Sequence, residues 1–154
     1  MFQILFILIF FIKWGVFISL DRFISKQEIF YETAFKEISN GKKESHYMWY
    51  IFPQIDGLVK NPSSTSKKYA IKDLEEAREY IKNEYLRNNL VNISSELLKL
   101  DTDNPVEIFG STDSKKLKSS MTLFEFVSDE EVFSQVLEKY YSGKRDERTL
   151  KLLN

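Results

Sequence analysis

Cysteine is absent from this chain of 154 residues. That excludes disulfide frameworks, thiolate nucleophiles, Cys-bearing zinc sites and iron–sulfur clusters together. There is 1 histidine, His46, which excludes every site that needs two, including two-His zinc clusters. Only 5 glycines and 3 prolines are present, so collagenous and Pro/Gly-rich low-complexity character is also excluded. An excess of either charge is missing too. Lys plus Arg is 22, Asp plus Glu is 23, and the net charge is −1. A globally basic nucleic-acid binder is not expected, although a local basic patch remains compatible. At 18.3 kDa the chain is one domain's worth, and a fold of this size buries about two-thirds of its unfolded surface, enough for a real core.

What is present is unevenly distributed. In residues 1–20, MFQILFILIFFIKWGVFISL, only Gln3, Lys13, Gly15 and Ser19 fall outside the apolar set. The rest of the chain is polar and helix-patterned. Residues 1–19 are therefore set apart as a hydrophobic segment, and 20–154 as the folded domain. Two readings of the segment stand side by side. One is a membrane anchor, whose length fits about 20 apolar residues but which carries Lys13 near its centre. The other is a dispensable extension or an extra N-terminus. A secretory signal lacks support, because no basic stretch precedes the apolar run and no small-x-small cleavage pattern follows it. The domain itself is expected in the cytoplasm, at the membrane if the segment is retained and inserts.

Residues 20–154 scan as helices, so the expected fold is all-α, a single multihelical domain. Phe23, Phe30, Ala34 and Ile38 recur at helical spacing between Asp21 and Asn40, with Gly41 placed to end the helix. A short helix is expected from His46 to Phe52, ended by Pro53, and then a loop over 53–66. One helix is expected from Ser66 to about Glu84. Leu86, Leu90, Ile93, Leu97 and Leu100 form the cleanest stripe. Pro105 suits a first helical position, and Gly110 closes that turn. Ser114–Phe126 and a helix capped by Asp129 and ended by Gly143 follow, then a final turn over Arg148–Leu153.

Three segments carry candidate chemistry. His46, Tyr47, Met48, Trp49, Tyr50, Ile51 and Phe52 put large side chains on every side of one short element. Such an element is either the centre of the core, with its polar atoms satisfied internally, or the wall of a pocket. As a pocket wall, Trp49 or Tyr50 stacks a planar ligand and His46 serves in proton transfer. The other two segments share a pattern: hydroxyl-rich residues lead into Lys67-Lys68 and into Lys115-Lys116. Lysines in a first helical turn oppose the helix dipole, whereas free N–H groups, hydroxyls and lysines together suit a bound phosphate. The ligand-binding set on this reading is Lys43, Ser45, Trp49, Tyr50, Gln54, Ser111, Lys116, Lys118 and Ser120, with His46 as the catalytic candidate. The GxxxxGK[ST] and GxSxG patterns are missing. No metal site and no cofactor is expected.

The run Ser45-His46-Tyr47-Met48-Trp49-Tyr50-Ile51-Phe52-Pro53-Gln54, followed by Gly57-Leu58, resembles the signature of the domain of unknown function 1810, whose members are often mislabelled calpastatin. Asp21-Arg22-Phe23, Glu76-Ala77-Arg78-Glu79-Tyr80, Ile108-Phe109-Gly110-Ser111 and Ser119-Ser120-Met121-Thr122-Leu123-Phe124 agree with it in order. The resemblance covers about residues 20–153. It implies an all-helical fold of alpha-alpha superhelix type and no established activity.

Three functions from different classes follow. The first is a domain for a phosphate-bearing small molecule, a nucleotide or ADP-ribose-like, with hydrolase or transferase activity as one form of it. The second is a non-catalytic protein–protein interaction module. The third is a nucleic-acid accessory protein using residues 41–72, where six lysines face Glu44 and Asp56.

Overall fold

The computed structural model describes residues 18–154. Within them the fold is all-helical: α1 (Asp21–Ser39), α2 (Met48–Ile51), α3 (Ser64–Tyr69), α4 (Leu74–Lys82), α5 (Glu84–Lys99), α6 (Pro105–Val127), α7 (Glu131–Tyr141) and α8 (Glu147–Leu153). The only bridge among these residues is a parallel pair, Ile55 with Ile71. The hydrophobic segment proposed for residues 1–19 lies, except for its last two residues, outside the described part. No helix among the described residues is long and apolar enough to cross a membrane.

The core follows the periodicity where that was strong. Leu86, Leu90, Ile93 and Leu97 of α5 are buried. So are Val132, Phe133, Val136, Leu137 and Tyr140 of α7. α1 and α7 both pack on α5, and α6 packs on α4 and α7. A file of aromatic rings links four of these helices. Phe23 of α1 meets Tyr80 of α4 edge-on at 5.1 Å, Tyr80 meets Phe124 of α6 at 5.0 Å, and Phe124 meets Phe133 of α7 at 6.1 Å. Such tilted and edge-on pairs suit the ring quadrupoles and add to simple area burial.

Five expectations are corrected. The single helix expected from Ser66 to Glu84 is two helices. The chain leaves α3 after Tyr69, runs extended through Ala70 and Ile71, and restarts with the Asp73 side chain accepting from the Glu76 N–H at 2.9 Å. This break is stable because other groups take its backbone partners. The Ile71 N–H donates to the Gln54 carbonyl and its own carbonyl accepts from Asp56 N–H, both at 2.8 Å. Arg22 of α1 donates to the carbonyls of Lys68 and Ala70 and pairs with the buried Glu76 carboxylate. Glu76 in turn accepts from the Lys72 N–H at 3.1 Å. Second, in α1 the buried position between Phe23 and Ala34 is Gln27, while Phe30 is 38% exposed. Gln27 Nε2 donates to the Tyr50 carbonyl and the Tyr80 hydroxyl, and its Oε1 accepts from Asn89, so its polar head is satisfied inside the core.

Third, the aromatic helix is shorter than expected. It starts at Met48 rather than His46, so His46 and Trp49 do not share a helical face. Fourth, Asp129 does not cap α7. Glu130 stands at that position and makes no side-chain cap bond. Fifth, the hydroxyl-rich stretch after Gly110 is not a loop. Gly110 adopts φ 78° and ψ 170° between two helical stretches, a conformation open to glycine at little steric cost. The chain is helical again from Ser111.

Candidate functional site

The Lys-Lys pairs lose their dipole anomaly once the helices are placed. Ser63 caps α3, accepting from Ser66 N–H at 3.1 Å, and the helix is so short that Lys67 and Lys68 stand in its last turn. Cations there favour the helix. After Gly110, Lys115 and Lys116 fall in the second turn, and Asp113 sits in the first, where an acid is favourable. The case for an anion held by a bare helix start therefore disappears at both places.

What remains is a side-chain cluster built by α6, α2 and the segment before α2. Trp49 is half-buried, and the Lys116 ammonium lies over its ring at 5.5 Å. Asp113, one turn before Lys116, joins two lysines. Its Oδ2 is 2.9 Å from Lys43 Nζ and its Oδ1 is 3.4 Å from Lys116 Nζ. The Lys43 side chain is only 8% exposed and also lies over the Tyr47 ring at 5.0 Å. Its backbone N–H donates to the Ile108 carbonyl at 2.8 Å, which fixes the segment against the first turn of α6. Glu37 of α1 closes the cluster from behind. Its carboxylate accepts from Ser45 Oγ at 2.6 Å and from the N–H groups of Glu44 and Ser45 at 2.6 and 2.8 Å. Partial burial alone raises the Glu37 pKa, but these bonds outweigh it and hold the carboxyl below its ordinary value. Burial and the Glu37 charge push the Tyr47 phenol up. Its hydroxyl is buried without a well-formed hydrogen bond.

The other residues singled out in the sequence are dispersed. Tyr50 is buried, edge-on to Tyr69 at 5.3 Å, and its hydroxyl donates to the His46 carbonyl. It is a core ring with no free face for a ligand. Ser45 is bonded to Glu37. Ser120 is fully buried, and its hydroxyl has no hydrogen-bond partner. Ser111 is exposed one residue after Gly110. Lys118 points away from Lys116, as two residues along a helix demand, and lies over Tyr141 at 6.0 Å beside Lys144 and Arg148. His46 is exposed, and its imidazole makes no hydrogen bond among the described residues. The Gln54 carbonyl accepts from the Ile71 N–H, and the residue lines a small cavity of about 30 Å³. That cavity is lined also by Trp49, Tyr69, Gly57 and Leu58. Asp113 and Glu37 are the members that sequence reasoning missed. The only available signal for Asp113 was its i,i+3 spacing to Lys116. Among the described residues no group of three or more His, Asp or Glu could hold a metal ion.

The class the described residues define is that of an all-helical domain. The chain belongs to the family of proteins of unknown function DUF1810, which it matches over residues 17–153. It is also similar in structure to the conserved hypothetical protein Rv1873 from Mycobacterium tuberculosis, solved by crystallography. The two are 38% identical, with a TM-score of 0.83 over 87% of this chain and 95% of that one. No curated protein matches the chain.

Proposed function

We propose that this domain binds a phosphate-bearing small molecule with a planar base, a nucleotide or ADP-ribose-like compound, at Trp49 and Lys116. The observation that carries the reading is the placement of the Lys116 ammonium over the half-buried Trp49 ring, 3.4 Å from Asp113. Both contacts are weak. An exposed cation–π contact contributes about 0.5–1 kcal/mol, and an ion pair of this exposure about 0–1 kcal/mol. A ligand base can therefore replace the ammonium on the indole while Lys116 turns to the phosphate. Lys43 stays with Asp113 at 2.9 Å and keeps that carboxylate neutralised, so it does not repel the incoming anion.

The reading is one of binding rather than catalysis. The observations that support it, the Trp49–Lys116 contact and the Asp113 pairs, are features of ligand contact.

The test is thermal unfolding of the full chain against ADP, ADP-ribose, a dinucleotide, inorganic phosphate and a short RNA. A ligand that binds only the native state at 100 times its Kd adds about 2.7 kcal/mol. A shift with the nucleotides or ADP-ribose that is lost in Lys116→Ala supports the proposal. No shift with any nucleotide sinks it, and a salt-steep shift with RNA alone favours the nucleic-acid reading.

A further inference from the structure

The cavity beside Trp49 is walled on one side by a short stretch of chain, and what holds that wall comes from far along the sequence. Gly57, Leu58 and Val59 line the cavity together with Trp49. At about 30 Å³ it has room for roughly one or two waters and none for a heteroaromatic ring. The Asp56–Pro62 stretch contains no helix or strand to hold it in place. Two side chains of α8 do so instead. The exposed Arg148 guanidinium donates to the Leu58 carbonyl across 90 residues of sequence. Leu152 lies over Gly57, its Cδ2 3.2 Å from where a Cβ on that residue would stand. Gly57 has φ 100°, so both its conformation and this close approach favour the absence of a side chain. Arg148 has no carboxylate partner among the described residues, leaving the Leu58 carbonyl as its hydrogen-bond acceptor there.

We infer that Arg148 and Leu152 are positioning residues for the Trp49 site: α8 acts as a latch that pins the Gly57–Val59 stretch against Trp49 and sets how much of the indole a ligand can reach. This rests on the reading of Trp49 as the ligand-contacting ring. Release of the latch widens the space beside Trp49 without changing any residue in contact with the ring.

The experiment uses the full chain with Trp14→Phe, which leaves Trp49 as the single tryptophan. Acrylamide quenching of its fluorescence then reports access to the indole, with no ligand needed. Arg148→Met and Leu152→Ala are each expected to raise the quenching constant roughly twofold, because they free a local segment rather than the whole fold. Arg148→Lys, which can still donate to Leu58, is expected to restore most of the protection, and helical circular dichroism is expected to stay unchanged throughout. Unchanged quenching in both Arg148→Met and Leu152→Ala would overturn the latch. So would an equal rise in the exposed neighbour variant Glu147→Gln, which touches nothing at Leu58. ADP-ribose titration of the same proteins separates the two claims. If the parent protein binds no ADP-ribose, the ligand proposal is in question, while the quenching comparison still decides the latch.

Discussion

Lys43 and Asp113 form an ion pair at 2.9 Å in which the lysine side chain is 8% exposed. The pair joins the segment before α2 to the second stretch of α6, and so brings Trp49 under Lys116. Removing Asp113 leaves the mostly buried Lys43 ammonium without its carboxylate, which costs on the order of 3 kcal/mol, whereas removing Lys43 leaves Asp113 its second partner, Lys116, at 3.4 Å. Asp113→Ala is expected to lower the unfolding midpoint clearly, Lys43→Ala to lower it less, and the double variant is expected to be less destabilised than the sum of the two. Chemical denaturation of all three proteins checks this.

The same carboxylate competes with a ligand phosphate for Lys116. Asp113→Asn retains the shape and removes the charge. Among molecules that remain folded, it is expected to bind ADP-ribose more tightly than the parent by several-fold, the range of one weak exposed ion pair. Calorimetric titration after a check of folding measures it. Weaker binding would place the carboxylate on the ligand's side instead.

Arg22 closes the break between α3 and α4 by holding two carbonyls and the Glu76 carboxylate, which is 3% exposed. Arg22→Ala strands a buried charge and is expected to cost on the order of 3 kcal/mol. Arg22→Lys is expected to recover only part of that, because an ammonium cannot match the forked geometry. Urea unfolding distinguishes the two.

Acid stability should report Glu37. Its folded pKa lies below the ordinary 4.5, so it contributes stability that is fully present above 4.5 and is lost as pH falls through the lowered folded value. Glu37→Gln is expected to be less stable than the parent at neutral pH and to lose less stability between pH 5 and the onset of acid unfolding. Ser45→Ala, which removes one of the donors, should shift the same way by a smaller amount. Parallel pH-dependent slopes for parent and Glu37→Gln would show that another carboxylate governs the transition.

His46→Ala is expected to change neither the unfolding midpoint nor ADP-ribose affinity by more than about twofold, since an exposed side chain without partners falls among nearly neutral surface positions. A large loss of affinity would bring the imidazole into the binding site.

The sequence was informative wherever one physical signal dominated. The 86–90–93–97 stripe sits on α5 as its spacing implies, and Gly41, Pro105 and Gly110 mark real ends or breaks. It misled where two signals agreed by accident. Ala70, Leu74, Ala77 and Ile81 keep helical spacing across the α3–α4 break, with no glycine or proline to interrupt them. Only the Asp73–Glu76 cap pattern could have revealed the restart. Gln27 was hidden because a polar residue reads as exposed unless its partners are known, and they lie at Tyr50, Tyr80 and Asn89. The two site segments were recognisable as unusual, and Lys116 does meet Trp49. The distribution of the others was not legible. Whether Lys118, Ser120 or Tyr50 shares that face depends on where the helix restarts after Gly110 and on which aromatic rings the core takes.

The most direct measurement is a fluorescence titration of Trp49 in the full chain carrying Trp14→Phe, with ADP-ribose added to the parent and to Lys116→Ala. Stacking on the indole is expected to quench its emission saturably. Loss of the lysine is expected to weaken binding about tenfold or more, the worth of one charge-assisted hydrogen bond of about 1.5–3 kcal/mol. Emission that does not respond to the nucleotide, or a response that Lys116→Ala leaves intact, contradicts a phosphate-ligand site at Trp49 and Lys116.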